Sequence, residues 1–338
     1  YLHFFCLRGL WSCIFHSFIH SIATQDPAKR EMSNHSSGTW FLLGEFSEVR
    51  ELQLLQATLF LVAYLAALTG NLLLLAVITL HQGLHTPMYF FLKNLSFLDL
   101  GYVSVTVPRA IFGSLTGDAS ISFWECVFQV FSFAGFGNAE IALLTVMSYD
   151  RYVAICQPLR YEVIMKRTAC AQMAGASWVS GGLSAILHTA VTFSVPFSGR
   201  NVIRQFFCDI PQMIRLSGPR GNPGEVGLIF LMAGLSLACL VSITVSYALI
   251  FSTVLKFPSA KGRSKAFSTC LPHLAVVSLF LLTGSSEYLK PTSGDPLLLD
   301  QLLSVFYTVI PPALNPIIYS LRNKDIKAAL GKGLWGMK

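Results

Sequence analysis

Charge is what this sequence has least of. Asp, Glu, Lys and Arg supply 12% of its 338 residues, against 53% hydrophobic residues, and mean hydropathy is +0.58. Soluble domains carry about 25% charged residues, so the composition excludes an ordinary soluble fold and implies a polytopic membrane protein. Other features are missing too. There is no His-Glu-x-x-His run, and no nucleophile–base pair or metal motif falls at membrane depth, since Glu140 and His273 belong to opposite halves of the chain's helices. That argues against an intramembrane enzyme. No internal repeat is found, whereas secondary transporters are usually built from repeats, which argues against a proton relay through Asp99 and Glu140. The net charge of +7 follows loop position, as the positive-inside rule requires, and not the pattern of a nucleic-acid surface. No nucleic-acid partner is expected.

What is present is a series of long apolar runs. The stretches 54–80, 88–112, 126–149, 169–193, 226–251, 267–289 and 297–321 are each long enough to cross a hydrocarbon core of about 30 Å. The expected fold is an all-α membrane protein, a seven-helix bundle over 54–321. A polar tail over 32–53 precedes it. A tail over 322–338 follows, opening in a short amphipathic helix at 322–327. Lys93, Arg160, Lys166, Arg167, Lys261, Arg263, Lys265 and Lys324 share the side of Arg151, and the other face is poorer in Lys and Arg. Charge bias therefore places Arg151 and the C-terminus inside and the N-terminus outside. Residues 1–31 fit poorly: the apolar run 2–22 is broken by Arg8, His16 and His20. A signal peptide and an eighth span are alternatives. The expectation favoured is translated sequence upstream of a start at Met32. Asn34-His35-Ser36 is an N-glycosylation acceptor on the outer side, while Asn94-Leu95-Ser96 lies at an inner helix end and should stay unmodified.

The third run organises the rest. It ends in Asp150-Arg151-Tyr152. One reading is a charge snorkelling at the lipid interface. The other is a latch, with Arg151 held by Asp150 at rest and freed on activation. Cys126, at the other end, stands roughly 38 Å away at ~1.5 Å per residue, so the two ends occupy opposite membrane faces. Of the cysteines after Met32, only Cys126 and Cys208 face outside, where disulfides persist. A Cys126–Cys208 disulfide is expected.

Two carboxylates, Asp99 and Glu140, sit at membrane depth with Asn71 and Asn315, where ionisable residues are expensive and functional by default. Two readings stay open. The acids hold a small hard cation, Na⁺, with oxygen ligands, or one acid is protonated and shares a hydrogen bond with the other. No other cofactor is expected.

Several elements occur in order along the chain: Gly70-Asn71, the run 87–92 that begins Pro-Met-Tyr, Leu95-Ser96-Phe97-Leu98-Asp99, the stretch 147–156, Ser246-Tyr247, the stretch 265–270 with His273, and the Pro312-to-Asn323 segment. Together they resemble a vertebrate olfactory receptor, a rhodopsin-like G-protein-coupled receptor, over about 32–334. The resemblance implies a plasma-membrane receptor for a small, mostly apolar odorant. Its partner would be a heterotrimeric G protein of the olfactory stimulatory type, acting through cyclic AMP. Arg151, Tyr247 and Tyr319 would rearrange together on activation. Helical spacing places Val130, Phe133, Ala134, Gly137 and Asn138 on one face below Cys126. To this lining the resemblance adds Leu228, Leu231, Met232 and Leu235, then Leu281, Gly284, Ser285 and Tyr288, then Val305 and Thr308. Asn138 is the one amide on the helix-three face, and water or a neighbouring helix is its expected partner without ligand. Such receptors usually carry a second outer cysteine pair; Ser198 and Gly218 stand there instead, and Phe280-Leu281-Leu282 replaces Phe-Tyr-Gly. A rhodopsin-like receptor for another small ligand and a non-functional receptor copy remain the alternatives.

Overall fold

Apolar runs interrupted by proline and glycine fold as long helices with short connections. The computed structural model describes residues 40–44, 47, 49–195, 197, 201–217, 223–288, 297–322 and 326. The helices are α1 (Arg50–Leu80), α2 (Pro87–Thr116), α3 (Phe123–Cys156), α4 (Arg167–Thr192), α5 (Pro223–Leu255), α6 (Ala260–Tyr288), α7 (Leu297–Thr308) and α8 (Ile310–Arg322). The last two make one crossing, so the bundle has seven. Among the described residues, six helical spans are long and apolar enough to cross a membrane by themselves. α4 falls below that threshold because it is rich in Ser, Gly and Ala, and it is held by its packing against α3.

The helix ends follow from local chemistry. Pro87 starts α2 at its first turn, where its missing N–H is no loss. α2 stops at Gly117, which has φ 72°, a left-handed cap suited to glycine. Arg50 donates to the carbonyls of Ser114 and Leu115 at the end of α2 (3.0 and 2.5 Å). Ser122 and Glu125 form a reciprocal capping box at the start of α3. The seventh crossing breaks at Val309 because Pro311 and Pro312 cannot donate to the carbonyls four residues back.

α3 and α4 touch along a seam of small residues. A Cβ added to Gly181 would lie 2.8 Å from the Ala139 Cβ, and one added to Gly135 would lie 3.1 Å from the Ala185 Cβ. Small residues four apart on both helices let the backbones approach closely.

At the disulfide end, residues 40–44 run between two other segments. β1 (Trp40–Leu42) pairs antiparallel with β2 (Ser120–Ser122). On its other side Leu42 donates to Asn201 O (2.8 Å), Ile203 donates to Leu42 O (2.8 Å) and Gly44 donates to Gln205 O (2.9 Å). Phe41 is buried against Phe197. Gly44 is required there, since a Cβ would lie 2.5 Å from Arg204 O. The expected helix at 322–327 lies outside the described residues apart from Arg322 and a buried Ile326, and residues 1–31 and Asn34 lie outside them altogether.

Candidate functional site

The site occupies both ends of α3. At one end Cys126 and Cys208 are bonded to each other, with Cα atoms 5.3 Å apart. The loop before α5 is thereby drawn onto the bundle. Gln129 fastens it from below: its Oε1 accepts from Cys208 N (2.8 Å) and its Nε2 donates to Val105 O of α2 (3.1 Å). Asp209 N-caps the short helix Ile210–Leu216 and accepts from the Tyr307 hydroxyl of α7 at 2.5 Å. Phe206 and Phe207 are driven inward and fully buried. The Phe133 ring meets Tyr102, Phe207 and Tyr307 at centroid distances of 4.7, 5.1 and 5.6 Å. The result is an aromatic floor shared by α2, α3, α7 and the loop.

The expected lining residues separate into groups. Val130 and Ala134 are buried beside the disulfide, with Ile203, Ile210 and Met213. Phe133 and Val305 pack in the neighbouring cluster of α1, α2 and α7. Gly137 faces Tyr102, whose hydroxyl would lie 2.7 Å from an added Cβ. Thr308 is buried and donates to Ser304 O. On α5, Leu228 and Met232 are half-buried. Leu231 and Leu235 are 57% and 55% exposed, so the structure does not gather them with the α3 residues. The outer part of α5 has no buried residue between Glu225 and Ile243. On α6, Leu281 packs on the core and Gly284 is half-buried, while the side chains of Ser285 and Tyr288 lie outside the described residues. So do Ser198 and Gly218. Leu282 points outward at 65% exposure. Asn138 corrects the expectation about its partner: its amide donates to Ala134 O in its own helix at 3.0 Å. The i−4 carbonyl is always within reach of a short polar side chain.

Sequence reasoning missed four polar ties here: Gln129, Asp209–Tyr307, the Ser122–Glu125 box and a buried contact between His188 of α4 and Glu225 of α5. The box has a recognisable Ser-x-x-Glu signature. The others join residues far apart in sequence.

At the opposite end the residues expected to form the switch are held. Arg151 pairs with the adjacent Asp150, which is fully buried. Tyr161, in the connection after α3, donates to the second Asp150 oxygen at 2.7 Å. Burial, then the Asp150 charge, raise the Tyr161 phenol above its ordinary range, so it stays a donor. Tyr152 accepts from Gln157 Nε2 at 3.2 Å. Tyr247 lies at 2.8 Å from His273 Nδ1, and His273 Nε2 lies 3.0 Å from Leu144 O. A carbonyl only accepts, so Nε2 carries the proton, and in the neutral ring Nδ1 accepts from the Tyr247 hydroxyl. This strut joins α5, α6 and α3. Tyr319 is buried, and its hydroxyl has no partner among the described residues.

Between the two ends lies the polar cluster. Asn315 Nδ2 donates to both Asp99 oxygens (3.1 and 3.2 Å). Glu140 Oε1, Asn315 Oδ1, Asn71 Oδ1 and the Tyr319 hydroxyl are buried without a hydrogen-bond partner among the described residues. Oxygens of this kind suit a hard cation.

The chain is similar to known proteins. A family model described as olfactory receptor matches residues 60–336. The chain is 54% identical to olfactory receptor 14L1 of Homo sapiens over 291 residues, covering 86% of this chain and 89% of that one. It is 53% identical to olfactory receptor 14J1 of Homo sapiens over 303 residues, covering 90% and 94%. Among solved structures, squid rhodopsin superposes with a TM-score of 0.62 at 20% identity, covering 85% of this chain and 82% of that one, which establishes the likeness of fold.

Proposed function

Because the chain belongs to the olfactory receptor family, a family of receptors and not enzymes, we propose that it is an odorant receptor that signals through a stimulatory, olfactory-type G protein to raise cyclic AMP. It is a multi-pass membrane protein. In our reading it resides in the plasma membrane, N-terminus outside and C-terminus in the cytoplasm. The observation that carries the reading is that one helix, α3, holds both functional ends: apolar Val130, Phe133 and Ala134 below the disulfide, and the Asp150–Arg151–Tyr161 latch at the other end. Aromatic and aliphatic walls with a few polar groups suit a small apolar ligand. The ligand acts by binding more tightly to the state in which the latch and the Tyr247–His273 strut are open, since equal affinity for both states shifts nothing. The released Arg151, with Tyr247 and Tyr319, then lines a cleft for the G protein.

The Asp99–Glu140–Asn315 cluster holds Na⁺ in the resting state in this reading. The ion supplies charge compensation for the two acids and no chemistry. The orphaned buried oxygens of Glu140, Asn71, Asn315 and Tyr319 support it. Raising Na⁺ should lower basal signalling, and Glu140→Gln should remove that dependence. Unchanged sodium sensitivity in the mutant would favour the protonated pair.

The test of the function is a cyclic AMP assay on cells displaying the chain, run against a broad panel of volatile odorants. At least one apolar odorant should raise cyclic AMP, Asp150→Asn should raise the basal level and Arg151→Ala should abolish the response at equal surface density. A silent panel together with an unaltered basal level in Asp150→Asn would overturn the proposal.

A further inference from the structure

Where α5 and α6 part near the Arg151 end, the structure has a groove of about 540 Å³. Phe251 of α5 forms one wall, and Phe267, Leu271 and Leu274 of α6 form the other, with Ser264 and Ser268 toward the end of the bundle. Phe267 and Leu271 are 40% and 43% exposed, and neither Arg151 nor Tyr247 lines the groove. The walls are apolar, so an acyl chain fits them. The rim is not neutral. Lys261 precedes Ser264 by three residues on the same helix and Lys265 follows it, and both are exposed. Residues three apart share a helix face, which brings Lys261 to the mouth of the groove. Arg263 is engaged elsewhere, donating to Phe257 O at 3.2 Å. Among the described residues neither lysine takes part in a salt bridge, and no acid lines the groove.

From an apolar slot capped by two uncommitted cations we infer that this groove binds an anionic diacyl phospholipid of the inner leaflet, one acyl chain between α5 and α6 and its headgroup phosphate on Lys261 and Lys265. The inference rests on the orientation proposed above, with the Arg151 end cytoplasmic. That leaflet holds the anionic lipids, and basic pockets between membrane helices on this side bind their headgroups.

The experiment needs neither an odorant nor a G protein, so its failure is distinct from a failure of the receptor assignment. The full chain is placed in phosphatidylcholine nanodiscs containing phosphatidylserine with a photoreactive group in its acyl tail, and the labelled peptides are mapped. Label should concentrate around Phe251 and the 267–274 stretch. A phosphatidylcholine probe with the same tail should label the groove far less. Lys261→Gln and Lys265→Gln should each weaken capture of the serine lipid by about fivefold, and high salt should do likewise. As both side chains are exposed, folding is not at stake. Leu271→Trp, which fills the slot, should reduce labelling by both probes. Equal labelling by the two lipids, or labelling indifferent to both lysines, would overturn the inference.

Discussion

Pro316 leaves a gap at the scale of one hydrogen bond, and two residues of another helix fill it. Lacking an N–H, Pro316 cannot donate to the carbonyl of Pro312. Asn71 Nδ2 donates to that carbonyl instead at 2.9 Å, and also to Ala67 O at 3.0 Å. The neighbouring Gly70 makes room for the proline ring, whose Cβ would stand 3.0 Å from an added Cβ. The sequence marks Gly70-Asn71 and Pro316 as unusual within apolar runs; only the fold shows that each answers the other. Asn71→Leu should lower thermal stability, since an orphaned buried carbonyl costs about 1–3 kcal/mol. Adding Pro316→Ala, which restores an N–H donor, should recover part of the loss. A double variant less stable than Asn71→Leu alone, measured by thermal unfolding in detergent, would show that Asn71 acts through the Asp99 cluster instead.

At the scale of elements, α3 and α4 depend on their small residues and α3, α5 and α6 on one histidine. Gly181 and Gly182 are neighbours in sequence, but only Gly181 touches α3; a Cβ at Gly182 would meet nothing within 4 Å. Gly181→Val should therefore destabilise by about 1–3 kcal/mol through overpacking, while Gly182→Ala should be neutral or slightly stabilising through helix propensity. Equal thermal shifts would contradict the seam. For the strut, His273→Phe removes both hydrogen bonds that join Tyr247 to the Leu144 carbonyl. Each is worth about 0.5–1.5 kcal/mol, so basal cyclic AMP should rise several-fold at matched surface density. An unchanged basal level would mean that the strut supports packing and not the resting state.

For the whole molecule, the covalent tie at one end decides how the long loop sits. Cys126 and Cys208 are 82 residues apart in sequence. With both replaced by Ser, the loss should be about 2–5 kcal/mol, and Phe206 and Phe207 should leave their buried positions. Proteolysis of the loop before α5, slow in the parent chain and fast in the variant, would report this. Gly44→Val offers an independent probe, since it blocks the threaded segment 40–44 at Arg204 without touching the disulfide.

The sequence by itself determined the solvent, the seven crossings and the pairing of Cys126 with Cys208, because each rests on length, charge or elimination along the chain. Most helix bounds came within about four residues, but α3 runs seven residues past 149 and α6 begins seven before 267. The α3 face that includes Val130, Phe133 and Ala134 was legible from its spacing. Tertiary structure alone decided that Leu231 and Leu235 of α5 lie open and that His188 meets Glu225 across α4 and α5. The reason is rotational. Helical periodicity tells which residues share a face, but how each helix turns about its axis is set by contacts between helices that the sequence brings together only on folding. The same holds for the insertion of residues 40–44 beside β2: three residues with no pattern of their own become a strand because two distant segments offer them hydrogen bonds.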